Sequence, residues 1–270
     1  MNNAFLLIDS HVHIHDCFDT NEFFESVFEN FENIAEEINK SEDWIGILLL
    51  SEISGINYFN KLINNDSIID AKKFSIRKTE ENNSLIIENN KSQILIIVAG
   101  KQIIARDGIE ILALCSNSEF ENGKDVEHTV REINKIGGIP VLPWGVGKWL
   151  GSRKKIIENY VRESKDFFFL GDNSARPSFW SEPQIFKLGK LKKHFVLPGT
   201  DALPITSEQN KTGSYGFSLE EEINLRYPAS EVKRIFINLH EQPVFFGKHE
   251  STLRFFKNQI LMQANKQKKK

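Results

Sequence analysis

Short apolar runs alternate with amphipathic stretches along most of this chain. The run AFLLIDSHVH (4–13) predicts a strand. Residues 20–40 repeat at helical spacing, with Phe23, Phe24, Val27, Phe28, Phe31, Ile34, Ala35 and Ile38 on one side and Asp19 or Thr20 as the cap. WIGILLLSE (44–52) is apolar on both faces, the signature of a buried strand, and GINYFNKLIN predicts a short helix after it. Between residues 73 and 117 the period falls to two, punctuated by Asn-Asn, Gly-Lys and Asp-Gly steps, which predicts consecutive antiparallel strands. Strand and helix then alternate again, with helices expected at about 126–135, 153–164, 183–190, 229–239 and 251–265.

Six or seven strand–helix units predict an α/β fold with a parallel sheet. The expected form is a distorted TIM-like (β/α)7-8 barrel with an antiparallel β insertion in its first half. One barrel domain would span 1–265, with the β-hairpin insertion at 73–107 and a basic disordered tail at 266–270.

The composition narrows the function classes. The net charge of −3 gives no global attraction to nucleic acid, so a small-molecule substrate is expected. Only two cysteines occur, Cys17 and Cys115, in no metal-type spacing. That suggests a reducing compartment. With no signal-peptide pattern and no apolar run long enough for a bilayer, the expectation is a cytoplasmic protein off the membrane.

In a barrel of this kind functional side chains gather where strands end and loops begin. The first strand ends in DSHVHIH. Alternate residues share a face, so Asp9, His11 and His13 should point together, with His15 near the rim. Two imidazoles so spaced can reach one divalent cation. The bland alternative is a polar pair on an exposed face. VLPGTDALP presents Asp201 after another apolar strand, as a metal ligand and proton acceptor or as a turn residue. PVLPWGVGKWLGSRKK places Lys148 and Arg153 after two glycines, either near an anionic group or on a solvated helix face. FFFLGDNSARP offers Asn173 and Arg176, though a turn would also use Gly171, Asp172 and Asn173. Trp144, Trp149, Trp180 and Tyr215 fall near these strand ends, and TGSYGFSLEEE suggests a mobile lid.

The His-x-His of the first strand and the late Gly-Thr-Asp resemble the polymerase-and-histidinol-phosphatase (PHP) family of metal-dependent phosphoesterases, and also the amidohydrolases. IIVAGKQIIARDGIEILALCSN is similar to the segment where the PHP family presents a metal-binding glutamate, and EINKIGGIPVLPW to its helix, glycine pair and strand leading to His-Pro. The family glutamate falls on Gln102, or on Glu110 if the register moves by one strand. The His-Pro position reads Pro143-Trp144, and Leu203 stands where a histidine is frequent.

The resemblance implies a metal-dependent hydrolase, of phosphoesterase or amidohydrolase type, acting on a small anionic substrate. His11, His13 and Asp201 would hold one zinc or manganese ion, with Gln102 or Glu110 as further candidates. Asp201 and His15 would be catalytic, and Lys148, Arg153, Asn173 and Arg176 would contact substrate. The alternative is a catalytically depleted PHP-like barrel that binds a ligand or protein without hydrolysis.

Overall fold

A computed structural model describes residues 3–40, 44–64 and 68–268. In chain order the elements are β1 (Asn3–Val12), α1 (Thr20–Glu37), β2 (Trp44–Leu50), α2 (Tyr58–Ile63), β3 (Phe74–Lys78), β4 (Ser84–Asn89), β5 (Ile94–Val98), β6 (Gly100–Ile104) and β7 (Glu110–Leu114). They continue with α3 (Val126–Lys135), β8 (Ile139–Pro143), α4 (Gly151–Glu163), β9 (Phe169–Asn173), α5 (Gln184–Leu191), β10 (Val196–Gly199), β11 (Tyr215–Glu222), α6 (Pro228–Ile237), β12 (Val244–Gly247) and α7 (Thr252–Lys268). The tail expected at 266–270 begins inside α7, and its last two residues lie outside the described residues.

The strands form two mixed sheets and not a closed barrel. One has seven strands in the order β12-β11-β1-β2-β5-β4-β3, and the other has five in the order β10-β9-β8-β7-β6. The expectation of a TIM-like barrel is therefore corrected. Strand–helix alternation does not reveal pairing direction, and here β6–β7, β7–β8 and β1–β11 all run antiparallel. The segment read as a lid, TGSYGFSLEEE, is largely β11, a strand of the larger sheet.

Among the described residues, no strand ladder joins the two sheets at the seam between β1 and β10. Pro198 in β10 has no N–H to donate, and the Asp9 carboxylate takes the Thr200 N–H at 2.9 Å. The register of β1 against β2 also shifts between Asp9 and Val12. Beside one backbone bond, from Asp201 N–H to His11 O, side chains bridge the seam in place of a ladder: Ser10 Oγ donates to Pro198 O at 2.9 Å, and Thr200 Oγ1 to Asp9 Oδ2 at 2.5 Å. Gly199 permits this approach, because a Cβ there would run into the His11 backbone.

Three apolar clusters fill the layers. Leu6, Ile8, Ile47 and Val98 of the larger sheet meet Leu112, Val141, Phe169 and Leu197 of the smaller one, and α6 adds Val232 and Phe236. The outer face of the larger sheet packs on α1 through Phe23, Phe24, Val27 and Phe31. The outer face of the smaller one is covered by α3, α4 and α5 through Val130, Ile157 and Phe186. The α1 cap is Asp19, whose carboxylate accepts from the N–H groups of Asn21 and Glu22. Among the described residues no helix is long and apolar enough to cross a membrane.

Candidate metal centre

His11 and His13 come from the end of β1 and Asp201 from the turn after β10, so the seam between the sheets is also where these side chains meet. His11 Nε2 lies 3.0 Å from His13 Nε2. Asp201 Oδ1 lies 3.6 Å from the first ring nitrogen and 3.5 Å from the second. No other group of three or more histidine, cysteine or acidic side chains with metal-ligand spacing occurs among the described residues.

The donor set fits one divalent ion. Zinc bonds to histidine nitrogen and carboxylate oxygen run about 2.0–2.2 Å, which puts neighbouring donors of one ion roughly 2.8–3.6 Å apart. Two ring nitrogens facing each other at 3.0 Å also require a proton or a cation between them. Two imidazoles and a carboxylate suit zinc, manganese or iron.

Protonation favours ligation. Burial pushes the His11 imidazole down to about 4, with Asp201 opposing it in part. Burial would raise the Asp201 carboxyl, but His11, His13 and Lys148 outweigh it and hold the group well below the usual carboxylate range. His11 is thus neutral and Asp201 ionised at neutral pH, the forms a metal needs. The Asp201 backbone sits in the left-handed region at φ 47°, and its N–H donates to His11 O at 2.8 Å, which fixes the carboxylate over the end of β1.

The other expected residues are placed as follows. The Gln102 side chain neighbours His11, whereas Glu110 pairs with Lys148, outside the group of three donors. Asn173 is buried and donates from Nδ2 to Asp201 Oδ2 and to Trp144 O, both at 2.8 Å. It steadies Asp201, while its Oδ1 is buried without a hydrogen-bond partner. His15 stacks on His13 at 5.5 Å and bonds through Nε2 to Ala202 O at 2.9 Å; burial lowers its pKa. Arg153 donates to Gly147 O at 3.0 Å. The Arg176 fork is occupied, giving Asp172 two bonds of 2.8 and 2.7 Å and reaching Trp180 O at 3.0 Å.

Asp9 does not join the histidines. It is fully buried, accepts from Thr200 and from the Gly213 N–H at 2.9 Å, and burial pushes its carboxyl up to about 6. The shift in β1 after Asp9 breaks the alternation that predicted a shared face.

Sequence reasoning picked out Asp172 and Arg176 at one strand end but missed their convergence with Tyr215 and His249. Asp172 Oδ2 is 3.1 Å from Tyr215 Oη and 3.0 Å from His249 Nε2. Burial opposes ionisation there, but Arg176 and His249 overcome it and the pKa falls. Asp172 belongs to β9, Tyr215 to β11, and His249 follows β12, so the cluster ties the smaller sheet to the larger. No spacing in the sequence relates these residues.

No protein-family model matches the sequence, and no curated protein matches it. Solved structures do. The fold is shared. The chain is similar to PsfC from Pseudomonas syringae PB-5123 over 100% of both chains, at 11% identity and a TM-score of 0.53. It is also similar to PfuEndoQ, a lesion-specific endonuclease from Pyrococcus furiosus, at 10% identity and a TM-score of 0.53. That match covers 88% of this chain and 57% of the endonuclease. At such identities the likeness concerns architecture.

Proposed function

We propose that this protein is a metal-dependent hydrolase of the phosphoesterase kind, with a PHP-like site reduced to one divalent ion. The observation that carries the reading is the convergence of His11, His13 and Asp201 at donor spacings of 3.0, 3.5 and 3.6 Å where two strands end. When bound, zinc or manganese supplies Lewis-acid polarisation of the scissile group.

The chain's own residues would divide the remaining work. Asp201 is a ligand more than a base, because the charges that keep it ionised also make it a weak proton acceptor. His15 is better suited to move a proton. If its Nε2 donates to Ala202 O, its Nδ1 keeps a lone pair. Lys148, held by Glu110 at a distance where its charge is felt by both His11 and Asp201, would draw an anionic group toward the cluster. Arg176, already occupied by Asp172, would position the end of β9 rather than touch substrate.

A second reading, ligand binding without hydrolysis, is favoured by one observation. The residue that meets His11 from β6 is the neutral Gln102, where the resembled family has a glutamate.

Metal content and hydrolysis of p-nitrophenyl phosphate, measured on wild type and on His11→Ala/His13→Ala, test both readings. Up to one ion per chain and metal-dependent turnover, both lost in the double variant, are expected. Equal metal in the two proteins would remove these residues from any metal site. Bound metal without turnover on a broad panel of esters and amides would leave the binding reading.

A further inference from the structure

The chain has four tryptophans, and three of them, Trp144, Trp149 and Trp180, line one pocket of about 190 Å³ past the ends of β8 and β9. We infer that this pocket receives a planar heteroaromatic ring of the nucleobase type, carried by the same substrate whose anionic group meets His11, His13 and Asp201. The inference deepens the reading given above and rests on it for the anionic half of the ligand.

Two features tie the pocket to the site. Trp144 follows β8 directly, and its carbonyl accepts at 2.8 Å from the Asn173 amide that also holds Asp201 at 2.8 Å. The carbonyl of Trp180 accepts at 3.0 Å from Arg176, which is locked on Asp172, the residue beside Asn173. Both indole walls are therefore anchored through their backbones to the end of β9. The Trp144 backbone is thus one side chain, Asn173, away from the Asp201 carboxylate.

The walls have the chemistry for a ring. Trp144 and Trp180 meet edge to face at 5.8 Å, and Trp149 is backed by Phe186 at 5.7 Å. Trp144 and Trp149 are buried, as core packing would have them, but Trp180 is 37% exposed at the mouth. A large indole left 37% exposed on the wall of a pocket is a stacking surface. The rim is polar: Lys154, Glu182 and Gln184 offer donors and acceptors to the edge of a heterocycle. Apolar walls with a few polar groups at the edge are the usual composition of a small-molecule site.

The test compares adenosine monophosphate with ribose 5-phosphate, which share phosphate and sugar and differ in the ring. Binding is measured calorimetrically on wild type, Trp180→Ala, Trp180→Phe, Leu150→Glu and His11→Ala/His13→Ala. Wild type is expected to prefer the nucleotide by about tenfold or more, as base stacking on an aromatic side chain does. Trp180→Ala should erase that preference and Trp180→Phe should keep most of it. The backbone bonds of Trp180 survive both changes, so folding should be retained. Leu150→Glu, which reaches the pocket from an exposed loop position, should weaken the nucleotide through charge alone. The double histidine variant should weaken both ligands alike and leave their ratio intact. If it weakens neither while the ratio still depends on Trp180, the metal reading fails and the ring pocket stands. Equal affinity of the two ligands for wild type, or a preference untouched in Trp180→Ala, overturns the inference. Thymidine monophosphate and oligothymidylate serve as the final pair. Trp180-dependent binding of either supports the pocket, and the tighter one identifies a free nucleotide or a strand as the source of the ring.

Discussion

Replacing Asp172 with asparagine removes one negative charge and leaves four neighbours in place. Asp172 is 2% exposed and Arg176 8%. In the native protein the carboxylate takes both arms of the Arg176 fork, the Tyr215 hydroxyl, the His249 ring and the Asn173 N–H. Asp172→Asn would strand the guanidinium without its counter-charge in a buried setting, which costs about 3–5 kcal/mol. For a chain of 270 residues each kcal/mol lowers the melting temperature by about 2 °C, so a fall of roughly 6–10 °C is expected. Tyr215→Phe deletes one hydrogen bond to the same oxygen, a loss of about 0.5–1.5 kcal/mol and roughly 1–3 °C. Asp172→Leu combined with Arg176→Met replaces the pair by apolar groups and should cost less than Asp172→Asn alone. Thermal melts followed by circular dichroism measure all three, with urea titration as the check. A melting point for Asp172→Asn within about 2 °C of wild type would refute the reasoning and free Arg176 for a direct role with substrate.

Gly199→Ala should destabilise the protein by at least about 3 kcal/mol in urea, because the new methyl meets the His11 backbone across the seam; wild-type stability would mean the two strands do not approach so closely. His194 stacks on Phe168 at 3.8 Å, and burial lowers its pKa. A histidine depressed in the folded state gives stability present above its unfolded pKa of about 6.5 and lost as pH falls below it. Melting points at pH 7.5 and 5.5 should therefore differ less for His194→Phe than for wild type, and an unchanged difference would exclude His194 as the cause.

The residues of the candidate site were legible because strand ends announce themselves locally. An apolar run followed by His-x-His, or by Gly-Thr-Asp, places its polar residues at a rim whatever lies beyond. Pairing is another matter. Nothing local distinguishes β11, read as a lid, from a loop rich in glycine and serine, because its place is set by the β1 backbone opposite, where Ile8 pairs with Phe217. The choice between Gln102 and Glu110 was likewise a question of register, and in the structure β6 and β7 pair with Gln102 opposite Leu112 and Ile104 opposite Glu110. The Asp9 expectation failed because alternation assumes an unbroken strand. The meeting of Asp172 and Arg176 with Tyr215 and His249 was invisible because these residues lie on three elements far apart in sequence and meet only after both sheets have formed.

The seam between β1 and β10 has a consequence for the order of events during synthesis. His11 and His13 are synthesised before every strand of the smaller sheet, and Asp201 follows only after the last of those strands. A nascent chain therefore carries a two-nitrogen chelate that is open and weak, and it gains its carboxylate arm only when β10 docks beside β1. Tight ion capture is thus a late event. Any cation bound to the finished trio would act as a rivet between the two halves, adding stability that grows with free-ion concentration as RT ln(1 + [L]/Kd).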